Sequence, residues 1–197
     1  MRYEKGHKEA TRRHIIDTAV SRFRRDGIAT VGLADLMNEA GLTHGGFYSH
    51  FKSKEDLVKA VIDEAACRSI ERFQSRVENG GLEAWIRHYC SPSHRDHPET
   101  GCVFAALGSE LARHPQATRR GYSNRVDSLA EAIVEYLPPT IKPAVKRRTA
   151  LGIIGVLSGS LQMARNADNP KLSQEILDAG VATALELAQI NSESEQS

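Results

Sequence analysis

Two stretches of the chain gather side chains capable of chemistry. Residues 41 to 57 read GLTHGGFYSHFKSKEDL. Thr43, His44, Tyr48 and His50 offer hydrogen bonds and aromatic faces, Lys52 and Lys54 offer positive charge, and Gly45 and Gly46 leave the backbone bare enough to approach another surface. The second stretch holds His88, Cys90, His94, His97 and Cys102. A zinc site needs about four such ligands in suitable geometry. The separations here match no compact zinc arrangement, and His88 and Cys90 fall on different faces of one helix, so no metal is expected. Cys102 has a second use open to it. It follows Gly101 at a predicted helix start, where the helix dipole favours thiolate, and His94, Arg95 and His97 precede it. It is therefore a candidate redox or electrophile sensor with Cys90 as resolving thiol, the alternative being an inert packed thiol.

The first stretch is framed by helical signals. A helical pattern from Leu33 to Ala40 is stopped by Gly41, which tolerates positive φ, and a very short second helix follows. Helix, glycine turn, short helix is the layout of a helix-turn-helix, whose second helix enters the DNA major groove. A preceding helix is expected from about Lys8 to Asp26, with Ile15, Ile16, Ala19, Val20 and Phe23 on one face and Gly27 ending it. Ser53 and Asp56 form a start like a capping box for a long helix that runs to Asn79-Gly80-Gly81. Further helices fit Leu82 to Cys90, Cys102 to Arg113, Gln116 to Leu137, Pro143 to about Asn166 and Ser173 to Ile190. Residues 91–100, with two prolines, read as a loop. No strand signal appears, so about nine helices in an all-α fold are expected.

On Phe47-Tyr48-Ser49-His50-Phe51 followed by Ser53-Lys54-Glu55, the sequence resembles the tetracycline-repressor (TetR) family of one-component transcriptional regulators, over roughly residues 8 to 60. The resemblance implies a helix-turn-helix DNA-binding domain at 1–54 and a helical ligand-binding and dimerisation domain at 55–197, with a disordered tail at about 191–197. It also implies a homodimer that binds a palindromic operator, most often as a repressor, and is released by a small-molecule effector. Carried over residue by residue, the DNA contacts are Thr43, His44, Gly45, Gly46, Tyr48, His50 and Lys54, while Phe47 and Phe51 anchor the short helix. Gly32 stands where many members have a capping Thr or Ser, so a hydroxyl that often meets phosphate is absent. An effector pocket would be lined by Trp85, Tyr89, Phe104, Leu107, Tyr122, Val126 and Met163. Small residues at Gly152, Gly155, Ser158, Gly159 and Ser160, answered by Ala179, Gly180, Ala182, Ala184 and Ala188, fit closely packed helices. Either an intrachain core or a dimer interface satisfies them; the resemblance implies the dimer, two helices from each chain.

Charge supports a nucleic-acid partner. Residues 1–54 carry ten Lys or Arg against six Asp or Glu, and the remainder sixteen against nineteen. A basic head on a slightly acidic body is expected when one end meets phosphate. A hydrophobic content of 40% supports a real core. No apolar run approaches the length of a membrane span, the N-terminus is charged, and three cysteines make a sparse set, so a cytoplasmic protein is expected. Enzyme chemistry finds no frame. Gly152 to Gly159 lack the strand and the Lys-Ser/Thr ending of a phosphate loop, and Ser109, Glu110 and His114 lack a nucleophile turn or oxyanion motif. No cofactor is expected.

Overall fold

The computed structural model describes residues 2–189, and among them the chain is helical with no strand. The expected end of the last helix at Ile190 and the tail at 191–197 lie outside the described residues. In order come α1 (Arg2–Asp26), α2 (Leu33–Glu39), a 3-10 helix (His44–Ser49), α3 (Lys54–Tyr89), α4 (Pro92–Asp96), a 3-10 turn (Pro98–Thr100), α5 (Val103–Leu111), α6 (Gln116–Tyr136), α7 (Pro143–Asn166) and α8 (Pro170–Leu187).

These elements form two compact units. One takes residues up to Arg68 together with Pro98–Ser123, and the other takes Ser69–His97 with the residues from Asn124 onward. The first unit thus draws the start of α3, all of α5 and the start of α6 into the N-terminal head, well past the boundary expected at residue 54. The reason lies in α1. Its apolar stripe of Ile15, Ile16, Ala19, Val20 and Phe23 is buried, and α1 packs on α2, α5 and the Pro98–Thr100 turn. Each of the larger side chains, Ile15, Ile16, Val20 and Phe23, contributes about 1.5–3 kcal/mol on burial. Arg24 continues the same helix inward. Only 6% exposed, it donates from Nε to the Val20 carbonyl and from its guanidinium tip to the Gly101 carbonyl. A buried cation hydrogen-bonded in this way fixes the 98–101 segment against α1.

In the second unit α7 and α8 pair along their length, burying Ile153, Ile154, Leu157 and Leu161 with Leu177, Ala184 and Leu185. Phe73 and Trp85 meet edge to face at 4.9 Å, and Tyr89 shares a hydrogen bond with Ser158 at 3.1 Å. Gly81, at φ 73°, breaks α3 into the two expected helices at the Asn79-Gly80-Gly81 signal.

Three sequence expectations are corrected. First, α1 begins at Arg2 rather than Lys8. Second, residues 91–100 are not a plain loop. Ser91 caps α4 by accepting from the His94 amide, Pro92 occupies the first turn, and Arg165 of α7 donates to the His94 and Arg95 carbonyls at 2.7 and 3.0 Å. The prolines start helical turns here instead of breaking them. Third, α8 begins at Pro170 rather than Ser173, because the Asn169-Pro170 turn is itself the helix start. The Asn169 side chain accepts from the Lys171 and Leu172 amides.

Candidate nucleic-acid interface

The turn between α2 and the 3-10 helix is set by backbone chemistry. Gly41 at φ 68° lets the Leu42 amide reach the Met37 carbonyl at 2.8 Å and the Gly41 amide reach the Asn38 carbonyl at 2.9 Å, a Schellman ending. Thr43 then caps the 3-10 helix, its hydroxyl accepting from the Gly46 amide at 3.3 Å. At the start of α2, Gly32 caps through its backbone alone, with no side-chain bond.

Phe47 and Phe51 hold this short helix in place. They are 0% and 1% exposed, and their rings stack at 5.5 Å. With Phe47 pointing inward, Thr43, His44, Gly45, Tyr48 and Ser49 are exposed. Tyr48 is 61% exposed, and its ring stands edge-on to His44 at 5.9 Å and to Phe47 at 5.3 Å. A Cβ added at Gly45 would meet nothing within 4 Å. Packing within the chain therefore does not require a glycine there, whereas close approach of another surface would. The result is a polar and aromatic ridge on a rigid apolar base.

His50 closes the ridge. Its Nδ1 is buried without a hydrogen-bond partner. Burial first, and then the positive charges of Lys8, Arg12 and His7, hold its pKa below the ordinary value. It is therefore a neutral imidazole at pH 7, so any contact it makes is by hydrogen bond rather than by fixed charge.

Lys54 departs from its expectation. Its Nζ donates to the Ile28 carbonyl at 2.6 Å and the Val31 carbonyl at 2.7 Å, and burial lowers its pKa against the pull of Glu110. It serves as a strut for the α1–α2 turn rather than as an outward ammonium. Lys54→Met should cost about 2 kcal/mol in urea unfolding, because two carbonyls lose a charged donor. Unchanged stability combined with weakened DNA binding would return Lys54 to the phosphate role.

Several site features left no mark in the sequence. Glu55 accepts from His114 Nδ1 at 2.9 Å and from the Thr118 hydroxyl at 2.5 Å. Glu110 accepts from the Ala29 amide at 3.0 Å. Glu55 ties His114 and Thr118 to the start of α3, and Glu110 ties α5 to the α1–α2 turn. At the start of α3 the expected capping box forms with a shift. Ser53 Oγ accepts from the Asp56 amide, while Asp56 reaches back to the Lys52 amide instead of that of Ser53.

The remaining sequence candidates divide between the two units. Phe104 and Tyr122 meet edge to face at 5.1 Å in the first unit, where Leu107 is also buried. Trp85, Tyr89, Val126 and Met163 belong to the second, with Met163 61% exposed. Cys102 does cap α5, but it is 7% exposed, and Cys90 is 4% exposed with burial pushing its thiol up to about 12. A sensing pair needs accessible, acidified thiols; these are packing groups, and the thiol-sensor expectation is withdrawn. His94 is pushed down to about 4, chiefly by burial, while its Nδ1 bonds the Tyr89 carbonyl. It therefore brings no charge to a thiol. Among the described residues no three His, Cys, Asp or Glu groups converge to hold a metal ion, and no helix is long and apolar enough to cross a membrane.

Comparison with known proteins places this geometry. The family model for bacterial regulatory proteins of the tetR family matches residues 15–61, from the buried stripe of α1 into the first turns of α3. The regulator AcrR of Shigella flexneri is 37% identical over 60 residues, which is 30% of this chain and 28% of that protein. TtgR of Pseudomonas putida is 40% identical over 63 residues, 32% of this chain and 30% of that protein. The chain thus spans under a third of the length of these curated relatives. Fold similarity reaches further. A TetR transcriptional regulator from Chloroflexus aurantiacus aligns with TM-score 0.75 at 24% identity over 98% of both chains. AibR, solved with isovaleryl coenzyme A and operator DNA, aligns with TM-score 0.62 at 19% identity over 88% of this chain and 97% of that one. Residues 15–61 thus match the tetR-family DNA-binding segment in sequence, and the chain as a whole is similar in fold to solved TetR-family regulators.

Proposed function

We propose that this chain is a one-component transcriptional regulator, acting as a repressor, that binds a palindromic operator as a homodimer and releases it when a small molecule binds the helical body. The observation that carries the reading is the ridge of exposed Thr43, His44, Gly45 and Tyr48, with half-buried Gly46 and His50 beside them, on the buried Phe47–Phe51 base. Direct readout needs short polar and aromatic groups on a helix thin enough for the major groove. The effector is an apolar or aromatic small molecule bound in the body, the candidates being Trp85, Tyr89 and Val126 in one unit and, separately, Phe104, Leu107 and Tyr122 in the other. AibR offers a precedent for a small molecule and DNA on this fold. Release follows if the effector favours a dimer whose two reading helices no longer match the half-site spacing. The site of action is the cytoplasm, and no cofactor is invoked.

The dimer reading rests on the outer faces of α7 and α8. Leu151, Met163, Leu172 and Leu187 are exposed there, and a Cβ at Gly155 or Gly159 would meet nothing within 4 Å of its own chain. Small residues left open to solvent allow close approach of a second copy. Gly155→Trp therefore has room to fold and should sediment as a monomer at micromolar concentration. Binding to a duplex that the wild type enriches from a random pool should fall about a hundredfold or more, since one half-site loses the help of the other. A wild-type monomer, or a dimeric Gly155→Trp, defeats this reading.

A further inference from the structure

The first three turns of α1 lie largely outside the segment matched by the family model, which begins at residue 15. Among the cations there, Arg13 is committed to Glu64 at 2.7 Å and to Asp17. Arg68 pairs with the same two acids and completes a bridge from α1 to α3. Glu9 faces the adjoining groove with Ala60, Asp63 and Glu64. Lys8 and Arg12 differ. Both are exposed, and among the described residues neither has a hydrogen bond or an ion pair. The Arg12 guanidinium lies over the Phe51 ring, 4.8 Å from its centroid, which holds it beside His50. The charges of Lys8, Arg12 and His7 all bear on the His50 imidazole. Arg12 also lines the groove that holds Glu9, Asp63 and Glu64, but it forms no ion pair there, and no acid counts among the charges that bear on His50, so an anion beside that imidazole would be favoured.

We infer that Lys8 and Arg12 of α1, together with His50, form a clamp for the phosphate backbone of duplex DNA, extending the interface beyond the helix-turn-helix. The inference rests on the DNA-binding reading above. The Arg12 guanidinium, stacked on Phe51, is pre-oriented and loses little freedom on meeting phosphate. Lys8, one helical turn earlier, presents a mobile ammonium on the same face. Contacts of this kind carry no sequence information, so the clamp adds affinity and register on every duplex.

Titration of a mixed-sequence duplex between about 50 and about 200 mM salt tests it, because each neutralised phosphate contributes about 0.9 to the slope of log affinity against log salt. Lys8→Gln/Arg12→Gln should lower that slope by about two units and Lys8→Gln alone by about one, while Arg12→Lys, which keeps the charge, should hold the wild-type slope. Lys8→Gln touches an exposed side chain without a partner, so it stands as the arm that leaves the fold intact. Lys142→Gln/Lys171→Gln removes two exposed charges elsewhere in the chain and should leave the slope unchanged. Equal slopes for wild type and Lys8→Gln/Arg12→Gln overturn the clamp and leave the DNA reading standing. A wild type that binds no duplex at any salt overturns both.

Discussion

Phe47→Ala will destabilise the N-terminal unit by about 3–5 kcal/mol, the cost of deleting a fully buried aromatic ring and leaving its cavity. The ring is 0% exposed, stacks on Phe51 and stands edge-on to Tyr48. It is the principal apolar anchor of a 3-10 helix six residues long, an element too short to hold its own shape. Loss of the ring therefore releases Thr43 to His50 as a group, and DNA binding goes with it. Urea unfolding monitored by amide exchange of residues 36 to 51 measures the effect. A loss under about 1 kcal/mol would mean that the short helix is held by something other than its phenylalanine base.

The neighbouring residue should behave in the opposite way. Tyr48 is 61% exposed and makes only ring-edge contacts, so Tyr48→Ala should leave unfolding within about 0.5 kcal/mol of wild type. Its loss should fall on DNA instead. Removing one base or phosphate contact costs about 1–3 kcal/mol, roughly tenfold to a hundredfold in affinity. His44→Ala/Tyr48→Ala should lose more than either single change, because the two rings are in contact and support each other. Full affinity in that double variant would remove the ridge from the interface. Adjacent residues would then separate the two roles: Phe47 governs whether the helix exists, and Tyr48 governs what it touches.

What the sequence revealed was local. Gly27 and Gly41 end helices because a positive φ is available to them, and both adopt it. Ser53 caps α3 through a bond three residues on, and Gly81 breaks it with a positive φ. The stripe of α1 was legible from spacing, and the phenylalanine pair from the family resemblance. What escaped depends on partners far apart in sequence. Nothing near Lys54 announces that the Ile28 and Val31 carbonyls will capture its ammonium. The pattern at 91–100 cannot include Arg165, whose donors turn a proline-rich segment into helix. Glu55 meets His114 and Thr118 only because α5 and the start of α6 fold with the head. The cysteine reading failed for the same reason. Both Cys90 and Cys102 are buried, and burial is a property of the whole fold.

Enrichment of duplexes from a random-sequence pool by the wild-type chain tests the central claim most directly. The account predicts one enriched motif with two-fold symmetry, its half-sites centred about 10 base pairs or a multiple apart, with two chains bound per duplex. Under the same conditions Tyr48→Ala should enrich the motif weakly or not at all. A wild type that enriches no motif, or one asymmetric motif held by a single chain, would contradict the account.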